Sequence, residues 1–319
     1  MRIRDLRRVI TTIILSAPLA AGCVSGDCPQ PRPIVTERFI LDMPDAQLTA
    51  LIDRCKMQQD CEPLCTEVYR REYGVAPTVP PPCMLEVDST TGLDVAAFPM
   101  EQQCVGGRRP AGYRRGRGCG PTVGRYLAQQ AELEAASVRA FGDLHEDLRA
   151  LGAPISLRRA AITAAADEVR HARTCERLAR QHGAAPAFRE IPPAKRRSLR
   201  QLALDNLVEG CVRETYGAVV AGYQGRTAGD ATVRRAMRAI ARDEARHAAL
   251  SWRIHAWVSP QLSPDERREL ANAAATVRSE LAGGAEPDVE LTGVLGVPDA
   301  RVASVLLAQL DATVWAELH

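Results

Sequence analysis

Aromatic residues are scarce in this chain, only 4% of its 319 residues. That weakens the case for a sheet-rich fold, because strands favour aromatic and β-branched side chains. Charge of one sign is lacking too. The net charge of +2 provides no broad field for nucleic acid, so no nucleic-acid partner is expected. The most apolar stretch, Val9 to Leu19, is too short for a stable membrane span and is broken by Thr, Ser and Pro. No C-x-x-C pair occurs anywhere, and the Cys55-x5-Cys61-x3-Cys65 run has no His within its segment, which argues against a structural zinc site. What is present suits a globular chain with one sizeable core and an appended region: 46% of residues are hydrophobic and 25% charged. Ala, Leu, Arg and Glu dominate the second half, which favours helix.

The N-terminus has the layout of an export signal. Arg2, Arg4, Arg7 and Arg8 form a basic region, the apolar stretch follows, and Leu19-Ala20-Ala21-Gly22-Cys23 ends it. That ending resembles a bacterial lipobox, in which Cys23 would be lipidated and become the first mature residue. Leu19 sits one place earlier than usual, so an ordinary signal peptide cut nearby is the alternative. Either reading exports the chain; the first anchors it at the cell envelope, facing the periplasm or on the outer membrane. Cysteine usage fits an oxidising compartment. Of ten cysteines, Cys28, Cys55, Cys61, Cys65, Cys83, Cys104 and Cys119 crowd between Cys23 and the helical region and are disulfide candidates with open connectivity. Prolines interrupt residues 23–121, leaving a helical pattern over Asp45 to Tyr73 and a short strand over Cys83 to Val87. The Gly- and Arg-rich stretch Gly106 to Gly118 reads as a solvated linker able to touch anionic headgroups.

From Thr122 the apolar periodicity becomes regular and predicts helices over about 122–151, 156–182, 198–224 and 231–258. The second and fourth carry the same unit, D-E-x-R-H-A: Asp167, Glu168, Arg170 and His171, then Asp243, Glu244, Arg246 and His247. Residues three apart share a helix face, so each Glu and His can present an oxygen and a nitrogen to one metal ion. A di-metal site also needs a carboxylate from each of the other two helices. Glu134 lies 34 residues before Glu168, and Glu209 lies 35 before Glu244, so the halves look duplicated. Asp205 and Glu214 are the other acidic choices on the third helix; on an ideal α-helix Glu214 points about 140° away from Glu209. Asp167 and Asp243, four residues before each His, are placed to hold the opposite imidazole, Asp243 with His171 and Asp167 with His247. Tyr216 lies two turns after Glu209, either as a redox-active tyrosine or as core. Cys175 and Cys211 read as buried free thiols. Ser263-Pro264-Asp265-Glu266 starts a further helix, and another is expected over about 299–318.

The set Glu134, Glu168, His171, Glu209, Glu244 and His247 resembles the ferritin-like superfamily of di-iron carboxylate proteins, in particular rubrerythrins and bacterioferritins, over roughly residues 122–258. The resemblance implies an all-α chain: a ferritin-like four-helix bundle (122–258) with two extra C-terminal helices (259–319), after a signal peptide (1–22) and an irregular Cys- and Pro-rich region (23–121). It further implies two iron ions, manganese or a mixed pair, and oxidase, peroxidase or oxygenase chemistry with dioxygen or peroxide. The substrate and electron donor are not specified, since a rubredoxin-type C-x-x-C donor is absent. The alternative expectation is a non-enzymatic metal-binding or structural lipoprotein of the cell envelope built on the same ligands.

Overall fold

The computed structural model describes residues 3–16, 36–41, 44–58, 60–73, 83–87, 92–99, 107–110, 113, 120–191, 194–283 and 287–318. In chain order these form α1 (Ile3–Ser16), β1 (Thr36–Ile40), α2 (Ala46–Gln58), α3 (Glu62–Tyr73), β2 (Met84–Val87), β3 (Asp94–Pro99), α4 (Thr122–Ala150), α5 (Ile155–Gln181) and α6 (Leu199–Asp205). A π-helical segment, Asn206–Glu214, continues α6 into α7 (Thr215–Thr227). Then come α8 (Ala231–Val258), α9 (Pro264–Ala282), α10 (Val289–Leu295) and α11 (Ala300–Thr313). No single helix among the described residues is long and apolar enough to cross a membrane.

The chain divides into two compact units. The smaller, 24–103 with 284–286, departs from the all-α expectation. In it β3 lies between β1 and β2 in an antiparallel sheet, with Phe39 opposite Ala96 and Leu85 opposite the same residue on the other side. The helical pattern over Asp45 to Tyr73 is broken into α2 and α3, and a Cys55–Cys61 disulfide ties the end of the first helix to the start of the second. Cys65–Cys83 then links α3 to the residue before β2. Leu48, Ile52, Leu64, Val68 and Ala96 close a small core around these cysteines. Cys23, Cys28, Cys104 and Cys119 lie outside the described residues.

The larger unit, 1–23, 104–283 and 287–319, is helical. Four residues, 151–154, turn α4 into α5, and the two pack along their length. Gly152 takes the left-handed conformation in that turn, at φ 72°. The sequence offers Ser156 as N-cap of the second helix, but α5 starts one residue earlier, at Ile155, after Pro154. Capping chemistry fixes the next starts. Ser198 and Gln201 form a capping box at α6, Asp230 accepts from the Thr232 and Val233 N–H groups at α8, and Ser263 with Glu266 repeats the box at α9. α8 packs on α5, the π segment and α7, so the two D-E-x-R-H helices touch. The C-terminal region holds three helices rather than two, and ends with Trp315 fully buried, its Nε1 donating to the Cys211 carbonyl at 3.0 Å. Residues 3–16, read above as part of a leader, form an amphipathic helix whose Leu6, Ile10 and Ile13 are buried, with α1 packed on α7, α8 and α11. Their spacing of four and three places them on one face.

Candidate metal centre

Three carboxylates and two imidazoles from three helices meet in the helical unit. On α5, Glu168 and His171 are three residues apart on the buried face; Glu244 and His247 repeat this on α8, and α4 adds Glu134. All five side chains are at most 3% exposed. One ligand atom each from Glu134, Glu168, His171 and Glu244 lies within 4.8 Å of the others, a grouping able to hold a metal ion. His171 Nδ1 is 3.3 Å from Glu244 Oε1 and 3.5 Å from Glu134 Oε2. His247 Nδ1 is 3.0 Å from Glu168 Oε1 and 3.7 Å from Glu244 Oε1. Each imidazole thus faces the carboxylates of both D-E-x-R-H helices.

The outward nitrogens are held as the sequence spacing suggests. His171 Nε2 is 3.2 Å from Asp243 Oδ2, and His247 Nε2 is 3.2 Å from Asp167 Oδ2. A carboxylate on Nε2 holds the ring's orientation and leaves Nδ1 to face inward. Arg170 and Arg246 complete the repeat: each bonds to both Asp167 and Asp243, Arg246 Nη2 at 3.0 and 2.6 Å and Arg170 Nη2 at 3.2 Å from Asp243. Every polar position of the motif is therefore used. The two arginines went unread as functional, though they were visible at the same place in each copy.

On the third helix, Glu209 is not among the four residues grouped above; Arg213 Nε lies 3.4 Å from it and the Arg109 N–H donates to it at 3.2 Å. Glu214 is fully buried; Ser251 Oγ donates to its Oε2 at 3.0 Å, and it feels the charges of Arg108, His247, Glu244 and Glu168. Both residues lie in the π segment, Asn206–Glu214. In it each turn takes in an extra residue, so positions five apart come near one face, where an α-helix would separate them. Asp205 pairs with Arg108 and Arg197. Tyr216 sits in the apolar core with Val212, Val219 and Trp252, and burial pushes its phenol up to about 12. Arg108, assigned above to a solvated linker, is also wholly buried beside Glu214. Cys175 and Cys211 are buried free thiols.

Electrostatics show a cluster balanced by protons. Burial, reinforced by the Glu168 charge, pushes the Glu134 carboxyl well above its ordinary value. Burial works against ionisation of Glu168 as well, but the neighbouring Glu134 carboxyl and the His171 and His247 imidazoles outweigh it and hold that carboxyl low. Both imidazoles are raised: burial disfavours their charge, yet surrounding carboxylates favour it more. Burial also lifts Glu214 to about 7, against the lowering effect of Arg108. Among the described residues, Glu134 Oε2, both oxygens of Glu168 and Glu244, Glu214 Oε1 and the Nδ1 atoms of His171 and His247 are buried without a hydrogen bond of acceptable geometry. So many orphaned acceptors in one place are costly unless a cation receives them. Carboxylate oxygens and imidazole nitrogens of this kind are ligands for divalent first-row metals.

No protein-family model, curated protein or solved structure matches this chain.

Proposed function

We propose that the chain is an exported ferritin-like protein whose four-helix bundle holds two metal ions, most consistently iron, for redox chemistry with dioxygen or peroxide. The observation that carries this reading is the convergence of orphaned carboxylate oxygens and Nδ1 atoms between two helices that repeat D-E-x-R-H. Glu134, Glu168, His171, Glu244 and His247 would hold the pair, with Glu214 in the place first assigned to Glu209. Two such ions would supply one-electron redox steps and Lewis acidity toward a small oxidant. The protein's own part is to fix both imidazoles through Asp167 and Asp243, to give up the histidine protons when metal is loaded, and to keep bulk water from the buried carboxylates. Export is supported by disulfides at Cys55–Cys61 and Cys65–Cys83 and by the basic and apolar N-terminal sequence ending at Cys23, against which stands the packing of α1 on α7, α8 and α11. Lipidation of Cys23 would tether the protein to the cell envelope. A non-enzymatic metal-binding role is favoured by one feature, the closure of the centre beside Glu214 by the buried Arg108.

The deciding experiment counts metal per chain in protein purified without added metal, beside the doubly substituted Glu168→Ala, Glu244→Ala chain. About two iron or manganese ions in the parent and none in the variant is the expected result. Oxygen and peroxide consumption by the loaded parent then separates an oxidoreductase from a passive binder. A metal-free parent that cannot be loaded would sink the reading.

A further inference from the structure

Gly107, Arg108 and Pro110 come from outside the helices yet are buried in the helical unit. Gly107 adopts φ 70°, and a Cβ built on it would stand 2.4 Å from Ser137 Oγ and 3.6 Å from Glu134 Oε2. Only a glycine allows the chain to lie so close to that carboxylate. Arg108 then inserts its guanidinium beside the centre. Nη1 donates to Asp205 at 2.9 Å, Nη2 donates to Asn206 Oδ1 at 3.0 Å, Nε stands 3.7 Å from Glu214 Oε1, and the group lies 5.7 Å over the Phe141 ring. Phe141 in turn meets His247 edge to face at 5.1 Å. Gly210 makes room on the other wall, where a Cβ would be 2.6 Å from Arg108 Nη2. The Arg109 N–H fastens the next residue to Glu209.

These contacts bridge α4 to the π segment on the side where Glu134 and Glu214 stand. Resting on the metal-centre reading, we propose that Arg108 is the residue controlling access to that centre, so that metal ions enter and leave by displacing it. Buried between α4 and the π segment, its bulk would close an approach from that side, and its fixed positive charge would repel a divalent cation approaching through a medium of low dielectric. A charged group with this many polar partners is costly to remove, which makes passage slow without making it impossible. Arg170 and Arg246, 58% and 40% exposed, flank the two aspartates that hold the imidazoles, which provides the competing route.

The test loads the full-length chain with Mn2+ and counts the metal retained after timed exposure to excess EDTA. Arg108→Ala is expected to lose metal at least about tenfold faster than the parent from the same starting load, a factor corresponding to about 1.4 kcal/mol off the barrier. Arg108→Lys, which keeps the charge with fewer donors, should fall between. Gly107→Ala provides an independent route to the same result, because its methyl displaces the segment while leaving the arginine in the chain, and it keeps the test readable if Arg108→Ala fails to fold. Parent-like release in both Arg108→Lys and Gly107→Ala would overturn the proposal and point to entry past Arg170 and Arg246. A reduced starting load in Arg108→Ala would make the residue part of binding and overturn it as well. A parent that holds no metal overturns the centre and the gate together, whereas a loaded parent emptied by Glu168→Ala, Glu244→Ala keeps the centre and leaves the gate to the arginine variants.

Discussion

Glu209 and Glu214 separate what residue spacing can tell from what backbone geometry decides. The duplicated spacing of 34 and 35 residues selects Glu209, yet its neighbours are a guanidinium and a backbone N–H, which already satisfy it. Glu214 has one oxygen bonded to Ser251 and the other without a hydrogen bond. Glu214→Gln is therefore expected to weaken metal binding at least about tenfold, while Glu209→Gln changes it by less than about twofold, both read by competition with a chromophoric chelator. Equal effects would return the ligand role to Glu209. Asp243→Asn, which removes the charge on His171 Nε2, is expected to cost about 10- to 100-fold in affinity, and Asp167→Asn the same through His247. These aspartates were legible in the sequence, since a residue four before a His shares its face on any α-helix. Arg108 was not: a Gly- and Arg-rich stretch carries no periodicity to show that one of its arginines turns inward.

At the scale of elements, the long helices are legible because each repeats an apolar stripe and starts or stops at Ser, Asp, Gly or Pro. The π segment is not, for nothing in Asn206 to Glu214 distinguishes it from α-helix. It forms where packing rewards it: Asn206 Nδ2 donates to the Ser251 carbonyl at 2.9 Å, and Gly210 accommodates Ser251, whose Oγ would lie 2.2 Å from a Cβ there. The widened turn changes which positions of this stretch share a face, at the expense of regular hydrogen bonding, and such turns are common at functional sites. Deleting Val208 should restore α-helical register, rotating Glu214 by about 100° relative to α6. The expected outcome is a chain of parent-like helix content by circular dichroism that has lost most of its metal affinity. Unchanged affinity would show that Glu214 contributes little. The sheet of the smaller unit escaped the sequence reading for a different reason: β1 and β3 are short and lie among prolines and cysteines, so alternation has too few residues to register, although β2 was visible as Cys83 to Val87.

The whole chain keeps its two kinds of reinforcement apart. Every candidate metal ligand lies in the helical unit, whereas both disulfides among the described residues lie in the smaller one. Metal binding stabilises only the folded state that it recognises, by about 2.7 kcal/mol at a free concentration 100 times the dissociation constant, which for a unit of this size is about 5–10 °C in melting temperature. Reduction acts on the other unit, where the Cys65–Cys83 bridge closes an 18-residue separation and its loss is expected to cost about 3 kcal/mol. Acid should select the same smaller unit through Glu67. Hydrogen bonds from Arg70 and then Arg71 lower its carboxyl from 4.5 to about 2, so its contribution is complete above about pH 4.5 and disappears as the pH falls through 2. Calorimetry on the full chain should then show two transitions: one raised by Mn2+ and indifferent to reductant, the other lowered by reductant and by acid in that window and indifferent to metal. A single transition moved by both treatments would mean that the units unfold as one, and that the small disulfide-bonded unit supports the metal centre instead of merely preceding it in the chain.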